Sequence, residues 1–190
     1  MQLSLTIKDF KQPDFANLQK LLARDQPDQG YGQLDIEMVD IKSLNLSQIS
    51  KMTKFDFSQM IKPLQMRVSF FDVSLDMAQS PIIFSEEKLV KISGDEVSVT
   101  WNKESLPTLH SALNTVNLAK ASRLLMFIWA CGPSEHFPAS EMLLGQVNIP
   151  MKDLMEENGQ YILISTPKVV LSNQVVGDVQ FLKIRYSTVQ

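Results

Sequence analysis

The sequence is poor in cysteine, histidine and glycine. Its single cysteine, Cys131, excludes an intrachain disulfide and fits a reducing compartment. Its two histidines, His110 and His136, offer few nitrogen ligands for a metal ion. The 7 glycines include no phosphate-cradling loop and no dinucleotide-binding fingerprint. We therefore expect neither a disulfide-stabilised domain nor a nucleotide-dependent enzyme, and we expect no cofactor.

The chain also lacks long apolar runs and a strong net charge. No stretch of about 18 uninterrupted apolar residues is present, which excludes a helix that spans a bilayer. The formal net charge of -3 argues against broad adhesion to nucleic acid, although not against a local basic patch. The first residues, MQLSLTIKDF, make a poor signal peptide because no basic residue precedes their apolar part. These features predict a cytoplasmic protein without a nucleic-acid partner.

What the sequence does contain is a repeated two-residue period of apolar side chains. This period is typical of strands with one buried face, and a continuous apolar run is typical of a central strand. Many short strands separated by turn residues predict an all-β sandwich. In the last strand the apolar parity changes between Phe181 and Leu182, which predicts a β-bulge there. The predicted strands cover residues 33–41, 64–71, 96–101, 123–130, 145–150, 161–165, 168–171 and 177–186.

Three segments depart from this period. Residues 1–32 are predicted to form an extension with a short strand and an amphipathic helix, whose apolar face includes Leu18 and Leu22. Such a face packs either on the sandwich or on a partner, and the first is the more common outcome. Residues 45–63 and 106–121 are predicted to be partly helical insertions.

Five segments in this order resemble a C2 domain. The resemblance predicts an eight-stranded antiparallel Greek-key β-sandwich for residues 33–190. The chain departs from the C2 pattern in the tryptophan motif, where Thr100 precedes Trp101 and the expected proline and phenylalanines are missing. The segments that carry the resemblance are LDIEMVDIKSLNL, SVTWNKESLPTL with Trp101 and Asn102, LLMFIWA, LLGQVNIPMKDL with Gly145, Ile149 and Pro150, and GDVQFLKIRY.

The same resemblance locates the loop that holds calcium in many C2 domains. Calcium requires six to eight oxygen ligands, several of them charged. Here Ala130, Gly132 and Met142 stand at the acidic positions, with Glu141 one residue out of register. The other calcium loop offers only Asp56. We therefore expect no metal site and no calcium binding.

A loop without these acids is suited to other contacts. It is mildly apolar, which fits a protein contact or shallow insertion into lipid. Members of the C2 family without the acids are often scaffolding parts of larger assemblies, including cytoskeletal and ciliary ones. The first hypothesis is thus a non-enzymatic, calcium-independent protein-interaction module of the cytoplasm, cytoskeleton or cilium, with an unknown protein partner. The residues predicted to contact the partner are Phe137, Pro138, Glu141, Met142, Leu18 and Leu22.

The alternative hypothesis is calcium-independent binding to phosphoinositide or another anionic lipid. The C2 resemblance implies a lysine-rich strand surface as the site, and Lys88, Lys91 and Lys103 are the candidates. If KLVKIS is one strand, Lys88 and Lys91 have opposite parity and do not share a face, which weakens this hypothesis. Acidic residues also flank the lysines.

A third hypothesis is an enzyme centred on Cys131 and His136. The two residues lie in one loop, but no oxyanion-hole glycine motif accompanies them. A structural role for Cys131, as a small apolar residue, is the more common outcome. We therefore expect no catalysis.

Overall fold

The computed structural model describes residues 32–57, 64–73, 82–111, 115–132 and 141–188. Within these ranges it contains thirteen strands, two α-helices and two short 3-10 turns. The helices are α1 (Leu46–Thr53) and α2 (Val116–Ala121), and the 3-10 turns are Lys103–Ser105 and Met151–Asp153. The strands are β1 (Gly32–Asn45), β2 (Gln65–Asp72), β3 (Ile83–Phe84), β4 (Lys88–Leu89), β5 (Lys91–Ser93), β6 (Glu96–Asn102), β7 (Thr108–Ser111), β8 (Arg123–Cys131), β9 (Glu141–Pro150), β10 (Met155–Glu157), β11 (Gln160–Ser165), β12 (Lys168–Leu171) and β13 (Gln174–Thr188).

The strands form a curled antiparallel sheet. Its main hydrogen-bonded order is β3-β2-β8-β9-β12-β13-β1-β6-β5, and β4, β7, β10 and β11 pair beside this path. The buried side chains of both halves of the sheet form one apolar core. The predicted all-β, C2-like sandwich is confirmed, and each of the eight predicted strands overlaps an observed one. The additional strands β3, β4, β5, β7 and β10 have two to four residues each.

Alternating burial confirms the predicted faces of the long strands. In β6, Val97, Val99 and Trp101 are buried, whereas the residues between them are not. The indole of Trp101 is fully buried and its Nε1 donates a hydrogen bond of 3.0 Å to the carbonyl oxygen of Glu86. This bond satisfies the only polar atom of a large core side chain.

Two bulges adjust the long pair β1–β13. In β1 the extra residue is Glu37, so that Ile36 and Val39 both face the core. In β13 the extra residue is Gln180, which makes Val179 and Leu182 both buried. The bulge predicted between Phe181 and Leu182 is therefore located one residue earlier.

The two predicted helical insertions each contain one helix. The side chain of Asn45 caps α1 by accepting a hydrogen bond of 2.8 Å from the amide of Gln48. Helix α1 ends at Lys54, whose φ of 59° is left-handed, and it buries Leu46 and Ile49. Helix α2 lies in the second insertion, after β7. The predicted extension lies outside the described residues apart from Gly32, so its boundary stays a prediction.

Two glycines allow strands to approach closely. A Cβ atom on Gly177 would lie 2.9 Å from the Cα atom of Leu44, which leaves no room for a side chain. A Cβ atom on Gly145 would collide with Cγ1 of Val169. Gly145 therefore lets β9 pack against β12 where these strands pair.

The Gly145–Val169 contact makes a stability prediction. We expect Gly145→Ala to destabilise the fold by about 2–3 kcal/mol, because the new methyl group overpacks the core. Val169→Ala alone leaves a cavity and also costs about 2 kcal/mol. In the double variant the new methyl group occupies the vacated space, so the total cost should fall below the sum by about 1 kcal/mol or more. Urea unfolding followed by tryptophan fluorescence measures all three costs, and strictly additive values would contradict the contact.

Candidate functional site

The loop that holds calcium in C2 domains starts here from a closed base. Ala130 and Cys131, at the end of β8, are buried and paired in the sheet with β2 and β9. Glu141 and Met142 lie opposite them at the start of β9. The backbone at these positions is thus committed to the strand ladder, and the side chain at the first acidic position points into the core.

A cation from β2 lies at this base. The guanidinium of Arg67 stacks over the ring of Phe84, 3.9 Å from its centroid, and forms an ion pair with the Glu141 carboxylate. Within the described ranges, no group of three or more metal-ligating side chains could hold a metal ion. The one acidic side chain that the sequence offered near the glycine therefore already has an internal partner.

Four of the six predicted partner-contacting residues lie outside the described residues, namely Phe137, Pro138, Leu18 and Leu22. The other two contact the fold itself. Glu141 pairs with Arg67, and Met142 is half-buried and packs against the core. The contact of this set with a protein partner stays a prediction.

The face of the sheet beside Arg67 is aromatic and internally bonded. Trp129 donates a hydrogen bond of 2.9 Å from Nε1 to the hydroxyl oxygen of Ser69, which is fully buried although it lies on this face. The ring of Phe127 lies 6.3 Å from that of Trp129. These contacts hold the ends of β2 and β8 rigidly beneath the degenerate loop.

The thiol of Cys131 is poorly suited to nucleophilic chemistry. Burial, reinforced by the negative charge of Glu87, raises its pKa from 9.0 to about 11. Its sulfur lies 4.0 Å from the carbonyl oxygen of Trp129. The proposed partner, His136, lies outside the described residues. A thiol that stays protonated near neutral pH fits the structural role that we expect for it.

The raised pKa predicts slow labelling. At pH 7 the thiolate of Cys131 should be about 100-fold rarer than that of a thiol with a pKa of 9.0. We expect the rate of alkylation by iodoacetamide to keep rising with pH beyond pH 9, where an ordinary thiol approaches its plateau. Protein unfolded in guanidinium is the control, and it should react at the ordinary rate. Rapid labelling of the folded protein at pH 7 would restore the enzyme hypothesis.

The structure brings lysines together on another face of the sandwich. Lys42 on β1, Lys88 on β4 and Lys91 on β5 line one open depression of about 380 Å³, which we call the lysine depression. Its remaining lining residues are Asp40, Leu89, Ser98, Val99 and Thr100.

This arrangement corrects the parity argument made from the sequence. KLVKIS is not one strand, because it breaks at Val90, whose amide bonds to the carbonyl oxygen of Leu64. Lys88 therefore pairs through β4 with β2, while Lys91 pairs through β5 with β6. The break places both lysines around the same depression.

Lys103, the third lysine predicted from the sequence, does not line this depression. It lies in the 3-10 turn after β6, and Lys42 completes the set instead. Lys42 could have been found only by pairing β1 with β6, which places Asp40 opposite Thr100. No local pattern in the sequence indicates that pairing.

The polar contacts of the depression fix its negative and positive groups. Asp40 accepts a hydrogen bond of 2.6 Å from the Thr100 hydroxyl and lies 3.4 Å from the Nζ atom of Lys42. Lys88 donates a hydrogen bond of 3.3 Å to the carbonyl oxygen of Thr100. No carboxylate of the described residues forms an ion pair with Lys88 or Lys91. Three lysines thus surround one aspartate, and two of them keep their charge available.

Exposed apolar side chains border these lysines. Leu89 lines the depression and is 63% exposed, and Ile92, next to Lys91, is 52% exposed. Such large exposed apolar groups beside unpaired cations favour a contact that is both anionic and apolar. In the part of the chain that the structure describes, no helix is long and apolar enough to span a membrane.

The motifs of the resemblance all lie on strands. Trp101 and Asn102 end β6, LLMFIWA lies in β8, and GDVQFLKIRY lies in β13. Gly145, Ile149 and Pro150 lie in β9. The chain is a divergent C2-like domain.

Comparisons with known proteins concern the fold alone. No protein-family model matches the chain, and no curated protein matches it. A C2 domain of plant extended synaptotagmin 1, the one designated A, is similar, with a TM-score of 0.49 and 8% identity over 87% of this chain and 99% of that one. A structure of CC2D1B, from work on the mitotic reformation of the nuclear envelope, has a TM-score of 0.48 and 14% identity over 92% of this chain and 69% of that one.

Proposed function

We propose that this C2-like domain is a non-enzymatic, calcium-independent module that binds anionic lipid through the lysine depression. The observation that supports the proposal most is the convergence of Lys42, Lys88 and Lys91 on one open depression with Leu89 at its wall. The lipid hypothesis, which was second on the sequence alone, is therefore the one that the geometry favours. Membrane association is the corresponding localisation.

The expected strength of this contact is modest. A basic side chain near an anionic surface contributes about 1 kcal/mol, so three lysines give about 3 kcal/mol at low salt. Leu89 and Ile92 can add apolar burial in the interfacial region, at about 25 cal/mol per Å² removed from water. The net charge of -3 opposes any approach that does not present this face. Binding should thus be reversible, sensitive to salt and restricted to one orientation.

A protein-interaction scaffold is the second candidate function. Its support is the edge of the sheet at β3, where Ile82 is 51% exposed and Phe84 is 40% exposed. A short edge strand with exposed apolar side chains can pair with a partner chain. A place in a cytoskeletal or ciliary assembly stays a prediction from the resemblance.

Vesicle sedimentation tests the proposed function. We expect the protein to pellet with vesicles that contain phosphatidylserine and phosphoinositide, equally in EDTA and in calcium, and not with phosphatidylcholine vesicles. Lys88→Glu with Lys91→Glu should weaken the partition coefficient about tenfold or more, because each reversal replaces an attraction with a repulsion. Raising the salt concentration should weaken the partition of the unmodified protein in the same direction.

A matched control variant keeps the net charge equal. Lys51→Glu with Lys54→Glu changes two exposed lysines at the end of α1, outside the depression. This control should lose less than about twofold of the partition coefficient. An equal loss in both variants would show attraction by net charge alone. A protein that stays in the supernatant with every vesicle would overturn the lipid proposal and favour the scaffold.

A further inference from the structure

A second cluster of cations lies at the end of the sandwich opposite the degenerate loop. Lys120 ends α2, Arg123 begins β8, and Lys152 lies in the 3-10 turn after β9. These three side chains line one open depression of about 260 Å³, which we call the Arg123 depression. Ala121, Ser122, Asn148 and Pro150 complete its lining.

The backbone around this depression is well fixed. Arg123 pairs with Pro150 across β8 and β9, and the amide of Met151 donates a hydrogen bond of 3.3 Å to the carbonyl oxygen of Ser122. The amide and hydroxyl of Ser122 both bond to the carbonyl oxygen of Ala119, at 3.1 and 2.8 Å. Three separate elements are thereby joined at one corner, so the cations are held around a common space.

The charges of this cluster are not neutralised internally. Among the described residues, no carboxylate forms an ion pair with Lys120, Arg123 or Lys152, not even Asp153 beside Lys152 in the sequence. The cations of β13 behave differently, since Lys183 and Arg185 both pair with Glu37. Three like charges without a counterion repel one another, and a multivalent anion would remove that repulsion.

The Arg123 depression is separate from the lysine depression. β2 pairs near one of its ends with Lys88 and at the other with Leu124, the neighbour of Arg123. At about 3.3 Å per residue this places the two depressions about 20 Å apart along the strand. The two sets of lining residues have no member in common.

We propose that the Arg123 depression binds a ligand that carries several phosphate groups, of the inositol polyphosphate class. The guanidinium of Arg123 offers a planar pair of donors to one phosphate, while Lys120 and Lys152 supply point charges for others. The side-chain amide of Asn148 adds a neutral donor at the same wall. This site is independent of the proposed lipid contact. Its ligand can be the free polyphosphate or the headgroup of a phosphoinositide, because both present the same phosphates.

Amide NMR shifts of the full chain test the site, with inositol hexakisphosphate as the probe at about 0.15 M salt, where exposed charges are largely screened. We expect titration to shift the signals of Ser122, Arg123 and Asn148. Arg123→Gln with Lys152→Gln should weaken this response at least about tenfold, since it removes two charge-assisted contacts. Both changed side chains are exposed, so the melting temperature checks that the variant folds normally.

The control variant is Lys88→Gln with Lys91→Gln, which changes the other depression and should leave the shifts at Ser122 and Arg123 intact. Phosphoinositide vesicles then distinguish the source of the phosphates. If Arg123→Gln with Lys152→Gln also lowers vesicle partition, the site takes a lipid headgroup; if only the free polyphosphate is lost, it takes a soluble ligand. Shifts that are absent at the Arg123 depression, or that survive in its own variant, would overturn the proposal whatever the vesicles show for the lysine depression.

Discussion

The antiparallel pairing of β1 with β13 joins the two halves of the sheet, and both candidate surfaces depend on it. The pair runs from Gly32–Thr188 to Lys42–Asp178. Its bulged residue, Glu37, places its carboxylate between Lys183 and Arg185, at 2.9 and 2.6 Å. The bulge therefore has a favourable contact on the outer face, while the apolar residues on either side of it face the core.

The register of this pair determines where the polar residues of β1 lie. After the bulge, Val39 and Ile41 are buried and Asp40 and Lys42 turn outward. The pairing of β1 with β6 then sets Asp40 opposite Thr100, so Lys42 reaches the depression lined by Lys88 and Lys91. A shift by one residue would bury these polar groups and expose their apolar neighbours, so the core also fixes the surface.

The sequence was sufficient for the long strands and insufficient for the short ones. A two-residue period is visible in β2 or β6, whereas β3 and β4 have only two residues each and cannot show a period. The bulge in β13 was misplaced by one residue because Phe181 and Leu182 are both apolar, so their order does not reveal which is buried. The lysine depression was missed for a different reason. It depends on the break at Val90 and on a lysine from a distant strand, and both are tertiary features.

The degenerate loop and the lysine depression have complementary properties. At the loop, Ala130 is buried and the Glu141 carboxylate pairs with Arg67, so the charged groups of its base already have partners. At the depression, Lys88 and Lys91 keep their charges beside the exposed Leu89. A domain of this kind would bind through a face of the sheet and without a metal ion, which is the central claim of the proposed function.

The orientation of the domain on a membrane tests that claim most directly. Spin labels would be placed separately on Ile92→Cys and Met155→Cys in a Cys131→Ala background. Ile92 borders the lysine depression, and Met155, 72% exposed on β10, is the apolar control at a different edge. With anionic vesicles in EDTA, the account predicts that the label at position 92 becomes accessible to oxygen dissolved in lipid and protected from an aqueous nickel reagent, while the label at position 155 stays aqueous. A label at position 92 that stays aqueous on membrane-bound protein would contradict it.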